Sequence, residues 1–162
     1  MLLLPLPAGA QQAASLEAAV KATFLSKFIP FVGWPAAPNS GPIGICLVGN
    51  DAVTAIADRA VAGQSVGDRQ IIVRHLPYSG PFVECQSLYL AAPDTEKSRI
   101  LNEIQAAPIL TITDAATDNS AKGIINFVLR DNRVRFEIDN AAAIRSRLEI
   151  SSKLLSLAVS VR

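Results

Sequence analysis

The chain of 162 residues holds one histidine, one tryptophan and two cysteines, and only 18% of it is charged. Two cysteines without a nearby histidine do not make a zinc site, so no metal is expected. No G-x-S-x-G elbow, Walker loop, H-E-x-x-H helix or G-x-G-x-x-G turn occurs, which removes the best-marked hydrolase, nucleotide and dinucleotide chemistries and leaves no cofactor to expect. No apolar run reaches the roughly 18 residues of a spanning helix. Lys and Arg total 15 against 14 Asp and Glu, a net charge of +1. A nucleic-acid binder carries a basic patch, and none is visible along the sequence. Half of the residues are hydrophobic, which excludes intrinsic disorder and leaves a globular domain with apolar surface to spare.

The remaining titratable groups argue for binding, not catalysis. His75 lies between Arg74 and Leu76-Pro77, a turn-like setting. Asp94/Glu96 and Glu137/Asp139 are the close acid pairs. Glu137 and Asp139 stand two apart on an expected strand and so share a side. Paired carboxylates can do acid/base work, but Arg133 or Arg135 of the same hairpin neutralises them as easily. No catalytic residue is assigned, and the protein is not expected to be an enzyme.

The first ten residues, Met1 to Ala10, are rich in leucine and end in Ala8-Gly9-Ala10, an A-x-A cleavage pattern. They read as the remnant of a secretory signal, with a mature chain starting near Gln11. The first basic residue is Lys21, as expected if only the end of the apolar region is present. An ordinary apolar terminus accounts for the same residues.

Residues 11–162 read as a single α/β domain. Good helix formers over 14–32 predict one helix, with Phe24, Leu25, Phe28, Ile29, Phe31 and Val32 crowding more than one face of its second half. Such a helix is deeply buried or shared with a partner. Gly33 and Pro35 are expected to end it, and 36–42 to form a loop. Strands are expected at 43–48, 70–75, 88–92 and 108–113, with helices over 52–62 and 94–104. Asn50 or Asp51 is placed to cap the first of these helices. Residues 114–122 read as an exposed loop. Runs 123–130 and 133–138, separated by Asp131-Asn132, read as a hairpin. Helices over 140–147 and 151–161 close the chain. The pattern predicts a mixed central sheet flanked by helices, parallel in its α/β half, with the C-terminal hairpin adding antiparallel strands at one side. Such a sheet offers a crevice at its strand C-termini, which makes Asn50, Asp51 and Asp114 candidate ligand contacts.

Cys46 sits inside one expected strand and Cys85 just before another. Adjacent strands can bring their Cα atoms within reach of a bridge. In an exported chain an even cysteine count favours that bridge. Two separate buried thiols are the alternative.

Three segments together resemble the YfiR family of periplasmic proteins. The first is Ala18 to Phe28, continuing through Phe31-Val32-Gly33-Trp34-Pro35. The second is Ile45-Cys46-Leu47-Val48-Gly49, with Cys85 further on. The third is Gly123 to Phe127, followed by Arg135-Phe136-Glu137-Ile138-Asp139 and by Leu148 to Leu155. The resemblance implies an α/β domain that forms a homodimer and carries a Cys46–Cys85 disulfide. It implies a periplasmic repressor that binds the periplasmic portion of a membrane diguanylate cyclase, or of a related sensor kinase, and keeps c-di-GMP and biofilm low. An outer-membrane lipoprotein that sequesters the repressor is implied as a second partner. The best-understood relative has a second disulfide for which this chain has no cysteines, and Gln86 stands where members often have histidine. The resemblance places Glu137 and the 141–145 segment, with Ile144, on the functional surface. A structural salt bridge is the other account of Glu137. Phe28, Phe31 and Trp34 are candidate partner anchors, with core packing as their alternative. A small-molecule-binding domain, taking for example an aromatic metabolite and feeding a membrane sensor or transporter, is the competing reading.

Overall fold

Ile43–Gly49 is buried along almost its whole length, as a strand is when both faces of its sheet are covered. The computed structural model describes residues 3–5, 7–35, 40–115 and 120–162, and in it this run is a central strand. In chain order the elements are α1 (Ala8–Lys27), a 3-10 turn (Ile29–Phe31), β1 (Val32–Gly33), β2 (Ile43–Gly49), α2 (Ala52–Val61), β3 (Ser65–Val66), β4 (Arg69–Leu76), β5 (Ser87–Ala91), α3 (Asp94–Ile104), β6 (Leu110–Thr113), β7 (Ile125–Arg130), β8 (Arg133–Ile138), α4 (Asn140–Arg145), β9 (Glu149–Ile150), α5 (Ser152–Leu157) and β10 (Ser160–Val161). The main sheet has the order β10-β8-β7-β6-β5-β2-β4-β3. Strands β4, β2, β5, β6 and β7 run parallel. Strand β8 returns antiparallel to β7, as the sequence predicts, and β3 is antiparallel to β4. Strands β1 and β9 form a separate antiparallel pair.

Alternation along the strands divides the core. Ile43, Ile45 and Leu47 share one face with Tyr89, Ile112, Phe127 and Phe136, beneath α1 and α2. Cys46 and Val48 point the other way, with Leu88 and Leu90, toward Ile100 and Ile104 of α3. Burying each large aliphatic side chain contributes about 1.5–3 kcal/mol relative to exposure. Gly49 ends β2 with φ +89°, and a Cβ there would lie 2.3 Å from the Ala91 carbonyl oxygen, so the turn into α2 requires glycine. Asp51 caps α2 by a capping box: its side chain accepts from Thr54 N, and Thr54 Oγ1 accepts from Asp51 N.

The structure corrects several boundaries. Helix α1 starts at Ala8, not 14, because an alanine-rich stretch follows Pro7. It stops at Lys27, five residues before the expected end. Pro30 is the cause: it lacks an N–H and clashes with the carbonyl four residues back, so the chain tightens into a 3-10 turn and then becomes β1. Residues 152–157 are helical, but Ser160–Val161 forms an edge strand parallel to β8, with Arg162 N donating to Ile138 O. Helix α4 ends at Arg145, and Arg147 takes a positive φ. Ala115, in the expected exposed loop, is buried, while 116–119 lie outside the described residues, as do 36–39 of the earlier loop and Met1, Leu2 and Leu6 of the leader-like start. The hairpin turn is as expected: Asp131 and Asn132 have φ of 53° and 61°, the double positive φ of a type I′ turn.

Cys46 and Cys85 are joined, their Cα atoms 5.7 Å apart and 39 residues apart in sequence. Both sulfurs lie in the core beneath α3. Closing a loop of that length contributes roughly 4 kcal/mol in the chain-entropy account. Replacing both cysteines by serine is therefore expected to lower unfolding free energy by about 2–5 kcal/mol. Urea unfolding of the oxidised wild type and the double variant measures the difference; equal midpoints would show that the bridge adds nothing.

Candidate functional site

The C-terminal ends of β2 and β6 and the start of α2 meet the flank of α1 in a crevice of about 230 Å³. Its polar lining is Glu17, Lys21, Asp51 and Asp114, and its apolar lining includes Ala14, Ala18, Ala52 and Val53. Two of the sequence-derived ligand residues, Asp51 and Asp114, thus come together there. The third, Asn50, is exposed and does not line the crevice.

Lys21 organises the charge. It is only 5% exposed, and its Nζ lies 2.7 Å from Asp114 Oδ2 and 2.5 Å from Glu17 Oε1. Burial pulls the ammonium pKa down, but the hydrogen bonds and charges of Asp114 and Glu17 outweigh it and hold the pKa above the ordinary lysine value. Tyr89 donates its hydroxyl to Asp51 Oδ2 at 2.7 Å. Burial, followed by the hydrogen bond and charge of Asp51 and the charge of Asp114, pushes the phenol far above its usual range, so it acts only as a neutral donor. One oxygen of Asp51 is therefore held by the α2 N-terminus and the other by Tyr89. The lining as a whole carries three carboxylates against one ammonium, a balance that suits a cationic group.

The candidate partner anchors separate. Phe28 is 1% exposed and packs with Phe24, Phe127 and Phe136, so it belongs to the core and offers no surface. Phe31 is half-buried. Trp34 is half-buried, with its indole N–H donating to Gln86 O at 3.0 Å. Ile144 is 66% exposed on α4. Phe31 and Trp34 flank β1 and pack against the core, and Ile144 sits on α4.

Glu137 pairs with neither Arg133 nor Arg135. Its Oε1 accepts from Lys122 Nζ at 2.8 Å and from Asn126 Nδ2 at 3.1 Å. Asn126 is buried, and its Oδ1 accepts from Thr113 Oγ1 and Ala115 N while its Nδ2 also reaches Ala115 O. Together these groups tie Thr113, Ala115 and Lys122 to the hairpin. Asp139 is not a partner of Glu137; it caps α4 through Ala142 N. Asp94 and Glu96 form local pairs with Lys97 and Arg99 on α3, and His75 forms an exposed pair with Asp58 at 2.6 Å.

Sequence reasoning missed Lys21, Glu17 and Tyr89. A usable trace existed for the first two, since Glu and Lys four apart on a helix form a pair. Nothing local tied Lys21 to Asp114, which lies 93 residues away. Tyr89 was hidden inside an apolar strand.

A family model described as YfiR/HmsC-like matches residues 18–159. No curated protein matches the chain. Among the described residues, no helix is long and apolar enough to cross a membrane, and no group of His, Cys, Asp and Glu could hold a metal ion.

Burial alone would raise the Glu137 pKa, but the hydrogen bond and charge of Lys122, the Asn126 amide and the Arg162 charge outweigh it and leave it below the ordinary 4.5. A lowered folded pKa gives stability that is full above the unfolded value and lost as pH falls through the folded one. Glu137→Gln is thus expected to cost about 1–2 kcal/mol at neutral pH. The gap from wild type should close as pH falls from neutral through the folded pKa, which lies below 4.5. Urea midpoints across that range measure it, and a gap constant with pH would remove the charge from the account.

Proposed function

The chain belongs to the YfiR/HmsC-like family, and on that premise we propose that it is a periplasmic regulatory binding protein that represses a membrane diguanylate cyclase, or a related sensor, by binding its periplasmic domain. The observation that carries this reading is the family match, which spans residues 18–159 and so almost the whole α/β domain. The Cys46–Cys85 bridge supports it, because structural disulfides persist in oxidising compartments. A binding protein switches its partner only by preferring one of the partner's states. Phe31, Trp34 and Ile144 are three of the exposed or half-exposed apolar groups available for that contact. The family also makes a homodimer the expected unit and an outer-membrane lipoprotein that sequesters the repressor the expected second partner.

Deleting the gene is expected to raise cellular c-di-GMP and biofilm, and restoring it to lower both. Unchanged c-di-GMP in a strain that retains the cyclase would refute the repressor role.

The crevice favours a second reading that can coexist with the first. Its net negative lining around Lys21 suits a small molecule carrying an amine, sensed in the periplasm and reported to a membrane sensor or transporter. A ligand at a hundredfold excess over its Kd adds about 2.7 kcal/mol of stability. A thermal-shift panel of small amines is expected to contain at least one compound that raises Tm by several degrees, and Lys21→Met is expected to change that response. A panel without any shift at saturation would dismiss the reading.

A further inference from the structure

The net charge of +1 conceals a segregated distribution. Residues 122–162 carry eight basic and four acidic side chains, while the preceding part of the chain carries seven basic and ten acidic. Much of the excess lies on one face of the β7–β8 hairpin. Arg130 stands directly opposite Arg133, and Val128 opposite Arg135. Because side chains alternate, these four residues share the face that points away from α1, whose Phe24 packs on Phe127 and Phe136 of the other face.

All three arginines are exposed, and Val128 between them is half-buried. Among the described residues, none of the three has an ion pair or side-chain hydrogen bond. The nearest strand carboxylate on this face, Glu137, is already held by Lys122 and Asn126. Like charges directly opposite on a hairpin destabilise it, so the chain carries this arrangement at a cost to its own fold.

We propose that this face docks an acidic helix of a partner protein. Arg133 and Arg135 lie two residues apart on one strand, which is about 7 Å. Glutamates one helical turn apart on a partner lie on one face with Cβ atoms about 5–6 Å apart. Arginine meets carboxylate by two parallel hydrogen bonds, and Val128 supplies an apolar floor for the helix between them. The same face carries no aromatic side chain on which a base could stack. Asp131 and Asn132 at the tip, with no tryptophan or tyrosine beside them, oppose insertion into a lipid surface. The surface goes beyond the regulatory reading and does not depend on which sensor is regulated.

The test uses the full chain and a stapled helical peptide with glutamates four residues apart, beside the same peptide with glutamines. The glutamate peptide is expected to bind, more weakly as salt rises from about 50 to about 300 mM, and the glutamine peptide not to bind. The triple reversal Arg130→Glu, Arg133→Glu, Arg135→Glu is expected to weaken binding by at least about tenfold, while Arg59→Glu with Lys153→Glu leaves it unchanged. Should the triple reversal unfold early, the triple Arg→Gln variant takes its place with the same expected direction. Equal binding by the triple and control variants, no binding of the glutamate peptide, or tighter binding to phosphatidylglycerol vesicles or a DNA duplex would each overturn the proposal. None of these outcomes bears on c-di-GMP, so the regulatory reading stands or falls separately.

Discussion

Four phenylalanine rings hold the two ends of the chain together. Phe24 and Phe28 of α1 stack with centroids 5.5 Å apart, and Phe28 meets Phe136 of β8 edge-on at 5.1 Å. Phe127 of β7 completes the group. Aromatic pairs in such geometries contribute about 0.5–1.5 kcal/mol each beyond the area they bury. The consequence is positional. With α1 fixed over one face of the hairpin, Lys21 is carried to the strand ends where Asp114 waits, and the arginines of the hairpin are left on the open face.

Polar groups under this layer are satisfied, with few exceptions. Asn126 uses both ends of its amide, on Thr113, Ala115 and Glu137. An unmade hydrogen bond at a buried site costs about 1–3 kcal/mol, so this network both anchors Ala115 beside the hairpin and fixes where Glu137 can point. Among the described residues, Ser87 Oγ is a buried side-chain oxygen without a partner. Two surfaces emerge with opposite signs: an acidic crevice closed by α1 and a basic sheet face that α1 leaves bare.

Much of the fold was legible because local rules and tertiary demand agree. The β-branched run at 43–48, the capping Asp51, the helix over 94–104 and the Asp131-Asn132 turn were all visible, each with a local physical cause. The misreadings have causes too. The apolar run continues past Pro30, so the sequence pattern alone does not mark it as the terminator of α1. The last strand was read as helix because Leu154, Leu155 and Leu157 repeat at helical spacing, while pairing with β8 decides the fate of Ser160 and Val161. The crevice was half legible: the strand ends named Asp51 and Asp114, but no local pattern tied them to Lys21 or Tyr89.

The order of residues alone determined an α/β domain, the hairpin turn, a bridge-ready cysteine pair and the family resemblance, because each rests on spacing, side-chain type or backbone preference within a short stretch. Only the folded chain decided that Phe28 is core and not anchor, that Glu137 answers to Lys122 and not to Arg133 or Arg135, and that Arg130, Arg133 and Arg135 face solvent without a counter-charge among the described residues. Those outcomes depend on which distant side chain arrives first within hydrogen-bond or van der Waals reach, a matter of strand register and of how α1 lies across the sheet.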